Sequence, residues 1–228
     1  MKDFIKNGEW VHMSDRIQFK CQQCSRCCRR VKEVVPVESL DLFRLTKCLR
    51  DVGAQVTTME DSLLWFTDLV LIDRSGYCVP MLKSVGDDDR CIFLDGNHCA
   101  IHDANPRACR TYPFETGPAK DGSFEIVLSR EQPHHFKGNT VLVKSWLQKT
   151  MLPEDREFVR YDVSSACEIA ELLNAVPEAD KARALTLFVH YKYTAFDLEK
   201  PFMAQYRANT DSLVSELRLI AAQRRNDI

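Results

Sequence analysis

Several features are missing from this 228-residue sequence. Nowhere do about 18 apolar residues run together, as a membrane-spanning helix would require. The opening stretch, MKDFIKNGEWVHMSDRIQFK, contains no apolar core of signal-peptide length. The expectation is a soluble, cytoplasmic chain without a membrane partner. There is no basic tail, no run of like charge beyond Asp87 to Asp89, and no interleaving of aromatic and basic residues. With a net charge of −2, nucleic acid is not the expected partner. No glycine-rich loop follows a candidate strand to cradle a nucleotide-like cofactor, and neither an activated-serine motif nor a pair of catalytic carboxylates is present. No fixed-period repeat or low-complexity linker interrupts the chain.

What the chain does have is cysteine, ten in all. Four fall within CQQCSRCC at 21 to 28, and three more in CIFLDGNHCAIHDANPRACRTYPF from Cys91 to Phe114. A composition of 45% hydrophobic and 28% charged residues supports an ordinary core, so the thiols are not needed to staple a small fold. In a reducing compartment clustered cysteines point to metal or redox chemistry rather than to disulfides. The adjacent Cys27 and Cys28 could bridge each other only with strain.

Thiolates at C-x2-C spacing grip one centre from a tight loop, in zinc knuckles and iron–sulfur loops alike. Cys21, Cys24 and Cys27 extend this to C-x2-C-x2-C, the spacing with which a ferredoxin-type loop holds three irons of a cubane. Cys91, Cys99 or Cys109 could bring the fourth thiolate. One tetrahedral zinc or one [4Fe–4S] cluster uses four sulfurs, so two centres or a bridged site would be needed to use nearly all of them. The candidate metal ligands are therefore Cys21, Cys24, Cys27, Cys28, Cys91, Cys99 and Cys109. The expected cofactor is an iron–sulfur cluster, foremost [4Fe–4S], or zinc.

Other residues receive plainer readings. His98 and His102, beside Cys99, could add nitrogen ligands but read first as surface loop residues, and His134 and His135 read as bystanders. Cys48, Cys78 and Cys167 read as core thiols, and Trp10, Trp65 and Trp146 as packing residues. Of the basic residues near the thiols, Lys20 and Lys32 read as solvated surface charges. Arg110 is the candidate for supporting the site.

The fold class expected is α+β: a loop-rich cysteine region over 1–120 with a few short strands, packed on a mainly helical region over 121–228 in the same compact unit. The change of chemistry falls at the loop ETGPAKDGS. Residues 37–50 place Leu42, Leu45 and Leu49 at helical spacing, with Gly53 as the stop. Thr57 with Glu60, or Thr58 with Asp61, can box the start of a helix through SLLWF. DLVLID, YCVPML, CIFL and FEIVLS read as strands, the second kept at an edge by Pro80. Asn139 is the candidate cap for TVLVKSWLQKTML, Pro153 fits the first turn of EDREFVRY, and Ser164 or Ser165 can cap ACEIAELLNAV. Helical patterns follow over 178–196 and 201–224.

CQQCSRCC followed by the Cys91 to Phe114 run resembles the zinc- or iron-chelating CxxCxxCC family, the YkgJ-like cysteine-cluster proteins. The likeness covers about residues 18 to 115, with seven cysteines and the Cys109, Arg110, Tyr112, Pro113 ending in the family's order. It departs from the family at Asn105 and His102, and in having no further thiol after the proline ending until Cys167. The resemblance implies metal binding by the seven cysteines, in a structural or redox role with iron–sulfur or with zinc. It also implies an enzyme alternative, since some members resemble flagellin lysine methylases. A metal donor that passes its ion on, and a protein client docked on the C-terminal helices, complete the expectations.

Overall fold

The computed structural model describes residues 8–119 and 123–223. Strand β1 (Gly8–Val11) and strand β2 (Arg16–Gln18) lead into the cysteine loop, which includes a 3-10 turn at Arg26–Cys28. Helix α1 (Ser39–Asp51) buries Leu40, Leu42, Phe43, Leu45 and Leu49, the stripe its spacing predicts. Gly53, at φ 79, takes the left-handed stop that a side chain would resist.

Helix α2 (Met59–Phe66) begins with the second of the two expected boxes: the Asp61 N–H donates to Thr58 Oγ1 at 3.1 Å and the Thr58 N–H to Asp61 Oδ2 at 2.9 Å. Strands β3 (Thr67–Leu71) and β4 (Cys78–Leu82) pair antiparallel, with Pro80 opposite Leu69.

Two very short hairpins follow, β5 (Ser84–Val85) with β6 (Arg90–Cys91) and β7 (Leu94–Asp95) with β8 (His98–Cys99). CIFL is therefore not one strand. Its ends belong to different hairpins and Ile92–Phe93 turn between them, because Gly96, at φ 56, folds the chain back immediately afterwards.

Helix α3 (Arg107–Thr111) carries Cys109 in its middle. Strands β9 (Phe114–Pro118) and β10 (Phe124–Ser129) pair across the expected change of chemistry, and β1 completes an antiparallel sheet in the order β1-β10-β9. The tip of that loop, 120–122, lies outside the described residues. A 3-10 turn at Pro133–His135 precedes strand β11 (Thr140–Leu142), which pairs with β2.

Asn139 thus caps no helix. β-branched Thr140 and Val141 extend along β2, and helix α4 (Val143–Thr150) starts only after them. Helix α5 (Pro153–Ala175) has Pro153 in its first turn and runs unbroken through Ser164 and Ser165. Neither serine caps, since their hydroxyls donate back to the carbonyls of Tyr161 and Asp162 at 2.7 and 3.0 Å. Helix α6 (Lys181–Val189) ends in a π turn at His190–Thr194, and helix α7 (Phe202–Gln223) closes the described chain; residue 224 of the expected pattern lies outside it.

The architecture is α+β, with small antiparallel sheets and the long helices in the C-terminal half. The larger core joins Leu42, Leu45, Phe66 and Phe93 to Phe158, Phe188, Tyr206 and Leu217. A smaller one, of Val11, Phe114, Ile126, Leu128, Val143 and Leu147, lies behind the three-stranded sheet. Among the described residues no helix is long and apolar enough to cross a membrane.

Candidate metal centre

The cysteine loop is shaped by its backbone. Gln23, Ser25 and Arg30 take left-handed conformations at φ 51, 56 and 58, each an unfavourable choice for a side-chain-bearing residue, at about 1–3 kcal/mol. Tertiary bonds hold it. The Lys20 N–H donates to the His135 carbonyl at 2.9 Å, and Arg30 and Val31 donate to the carbonyls of Asp88 and Asp89 at 3.0 and 2.9 Å. Ser25 Oγ donates to Asn97 Oδ1 at 3.1 Å, and Arg29 pairs with Asp88. One flank is thereby fixed to the two short hairpins and the other to the turn at Pro133–His135.

On the hairpin flank, Cys28, Cys91, Cys99 and Cys109 come into mutual electrostatic range. Burial pushes the Cys109 thiol well above its usual range, and Cys91, Cys28, Cys99 and Asp41 add to the rise. Cys91 is pushed up to about 11 by burial, with Cys28 and Cys99 adding to it against a backbone N–H from Phe93. Burial likewise raises Cys99, with Cys28 contributing. Cys27 and Cys28 sulfurs lie 3.9 Å apart. The hydrogen bond between them lowers Cys28 to about 7 against its burial, with help from Arg29, and raises Cys27. Cys28 thus opposes ionisation of Cys91, Cys99 and Cys109, and Cys109 that of Cys27, an opposition that a bound cation would reverse.

On the other flank, Cys24 Sγ lies 3.2 Å from Nε2 of His134 and 3.2 Å from Nε2 of His135. Among the described residues these form the one set of three His, Cys, Asp or Glu ligand atoms lying within 4.8 Å of one another. His135 Nδ1 is 3.2 Å from the Tyr112 hydroxyl. Burial, with His134 beside it, lowers the His135 pKa, which favours the neutral ring. The pair read as bystanders from the sequence stands against the sulfur of Cys24. More than a hundred residues separate them from Cys24, so spacing gave no warning. His98 and His102 are exposed.

Helix α3, which carries Cys109, is clamped by arginines. Arg107 forks onto both oxygens of Glu38 at 2.8 Å, its backbone N–H donates to Asp41 Oδ1 at 2.9 Å, and Nη1 reaches Thr116 Oγ1 at 3.0 Å. Arg110 binds both oxygens of Asp155 at 3.0 and 2.9 Å and the Asn105 carbonyl at 2.6 Å. Arg110 thus supports the site by fixing the helix of Cys109 to α5.

Outside the cluster, Cys78 is buried as expected, Cys48 is half-buried, and Cys167 is exposed rather than in the core, because it faces outward on α5. Trp146 packs edge-on against Phe19 at 5.3 Å, while Trp10 and Trp65 are nearly half exposed.

Residues 20–136, a little over half of the chain, match the family model CxxCxxCC, described as "Putative zinc- or iron-chelating domain". The matched segment includes all seven clustered cysteines and both histidines at Cys24. No curated protein and no solved structure matches the chain.

Proposed function

The chain belongs to the CxxCxxCC family of zinc- or iron-chelating domains, and from that premise we propose that it carries an iron–sulfur cluster of the [4Fe–4S] kind in a structural or redox role. Cys28, Cys91, Cys99 and Cys109 would hold it. The observation that carries this reading is that Cys28, Cys91 and Cys99, brought from a loop and two hairpins, all lie within electrostatic range of Cys109 on its helix. Cys28 directly follows the C-x2-C-x2-C run of Cys21, Cys24 and Cys27, whose spacing is that of cluster-binding loops. When bound, such a cluster supplies one-electron chemistry and ties the four segments together. The protein's own contribution is to bury the sulfurs, to donate backbone N–H groups from Phe93 and Ile101 to Cys91 and Cys99, and to lock α3 through Arg107 and Arg110.

The test is metal and acid-labile sulfide analysis with a visible spectrum on protein purified without oxygen. Iron, sulfide and a broad visible band are expected. Stoichiometric zinc with no visible band would replace the cluster with a structural zinc cage.

A further inference from the structure

We infer that the chain has a second metal site, distinct from the four thiols above, which takes a single divalent ion of the zinc class on Cys24, His134 and His135. The inference uses none of the residues assigned to the cluster.

Its basis is the convergence of three donor atoms of the right chemistry. Both imidazole Nε2 atoms lie 3.2 Å from the same sulfur. A tetrahedral zinc, with sulfur at about 2.3 Å and nitrogen at about 2.0–2.1 Å, sets its S···N separations near roughly 3.5 Å. Each imidazole nitrogen therefore needs to part from the sulfur by only a few tenths of an ångström to admit the ion. Thiolate with imidazole suits zinc among the common divalent ions, and Cys21 stands at C-x2-C spacing from Cys24.

A hydrogen-bonding role explains the arrangement less well. If the Cys24 thiol donates to one imidazole, the other must turn its Nε2–H toward the same sulfur, so hydrogen bonding alone requires two different tautomers side by side. The histidines are neighbours in sequence, and a short 3-10 turn at Pro133–His135 is needed to aim both rings at one point, with centroids 4.2 Å apart.

The surroundings match those of a metal-bound histidine. His135 keeps only 1% of its surface exposed, and its second ring nitrogen faces the Tyr112 hydroxyl at 3.2 Å, the outer partner that fixes tautomer and orientation. Beneath it Phe19, 2% exposed, meets the rings of Tyr112, His135, Phe136 and Trp146 at 5.3–6.1 Å. Cys27, Cys21 and Cys24 all lie within electrostatic range of Tyr112, so the cysteine loop borders the histidines.

The experiment uses full-length protein purified without oxygen from medium containing zinc and iron. Metals per chain and X-ray absorption at the zinc edge are measured for the wild type, for His134→Ala with His135→Ala, and for Cys109→Ser. The wild type should show zinc in a mixed nitrogen and sulfur shell. The histidine pair variant should lose about one equivalent of zinc and keep its iron and sulfide; Cys109→Ser should do the reverse. Unchanged zinc in the histidine variant, or a sulfur-only zinc shell in the wild type, overturns the second site. The wild-type spectrum needs no variant, so it decides even if the substituted protein fails to fold. Zinc without iron, with one equivalent dependent on the histidines, would sink the cluster reading and uphold this one.

Discussion

The cysteine-bearing loops and the C-terminal helices are stabilised in opposite ways. Between residues 84 and 99 the strands are two residues long, and the loop from 21 to 30 runs through three left-handed side-chain-bearing residues. Its order comes from single hydrogen bonds and from whatever the thiols bind. In the other half, α5 and α7 span 23 and 22 residues, and Phe196, Phe202 and Tyr206 stack with centroids 5.1–6.2 Å apart. There apolar burial is sufficient. The loops that carry the thiols lean on point contacts and the helical half on broad packing, so the two should respond to different perturbations.

The sharpest separation should come from Cys109→Ser. It removes the thiol that senses Cys28, Cys91 and Cys99, and at a metal site binding free energy is also folding free energy, of order 10 kcal/mol in structural zinc peptides. Metal should be lost, and amide hydrogen exchange should accelerate across residues 20–110 well before it does across α5 and α7. Cys48→Ala should keep full metal content; equal loss from both would erase the distinction between cluster and bystander thiols.

Phe202→Ala, at a residue 2% exposed, should cost about 3–5 kcal/mol in denaturant unfolding and leave bound metal unchanged. If metal fell in step with stability, the two regions would be one cooperative unit.

A pH titration tests the seam between them. Asp41 is raised from 3.8 to about 7 by burial first and by Glu38 next, against Arg110 and Arg107. A carboxyl whose folded pKa is raised contributes stability that is fully present below about pH 4 and is lost as the pH rises through about 7. The free energy of unfolding measured over that window should fall less steeply with pH in Asp41→Asn; an identical slope would show that Asp41 does not titrate there.

The smallest effect is expected from Thr58→Ala, which removes the cap of α2 and should lower stability by about 1 kcal/mol with no change in metal.

The sequence revealed the helices wherever side-chain periodicity or a cap acts locally. Leu42, Leu45 and Leu49 announced α1, Thr58 and Asp61 marked the start of α2, and FEIVLS coincides with β10. It misled where a choice depended on a distant partner. Asn139 looked like a cap because nothing nearby showed that Thr140 and Val141 would pair with β2. Ser164 and Ser165 looked like caps until their hydroxyls found carbonyls one turn back.

The site was legible to a similar extent. Cysteine spacing singled out the thiols, but their division between a hairpin flank and a histidine flank is set by long-range hydrogen bonds from Lys20, Ser25 and Arg30. No local pattern contains those bonds.

Asp155 gives the two regions a common joint. Its carboxylate, 1% exposed, accepts the Leu152 N–H at 2.7 Å at the start of α5 and also grips Arg110, the residue after Cys109. A helix that owes its stability to packing therefore begins on the same two oxygens that anchor the arm of the coordinated loops. The residue beside Cys109 and the first turn of α5 thus share one carboxylate, so replacing Asp155 would loosen both at once.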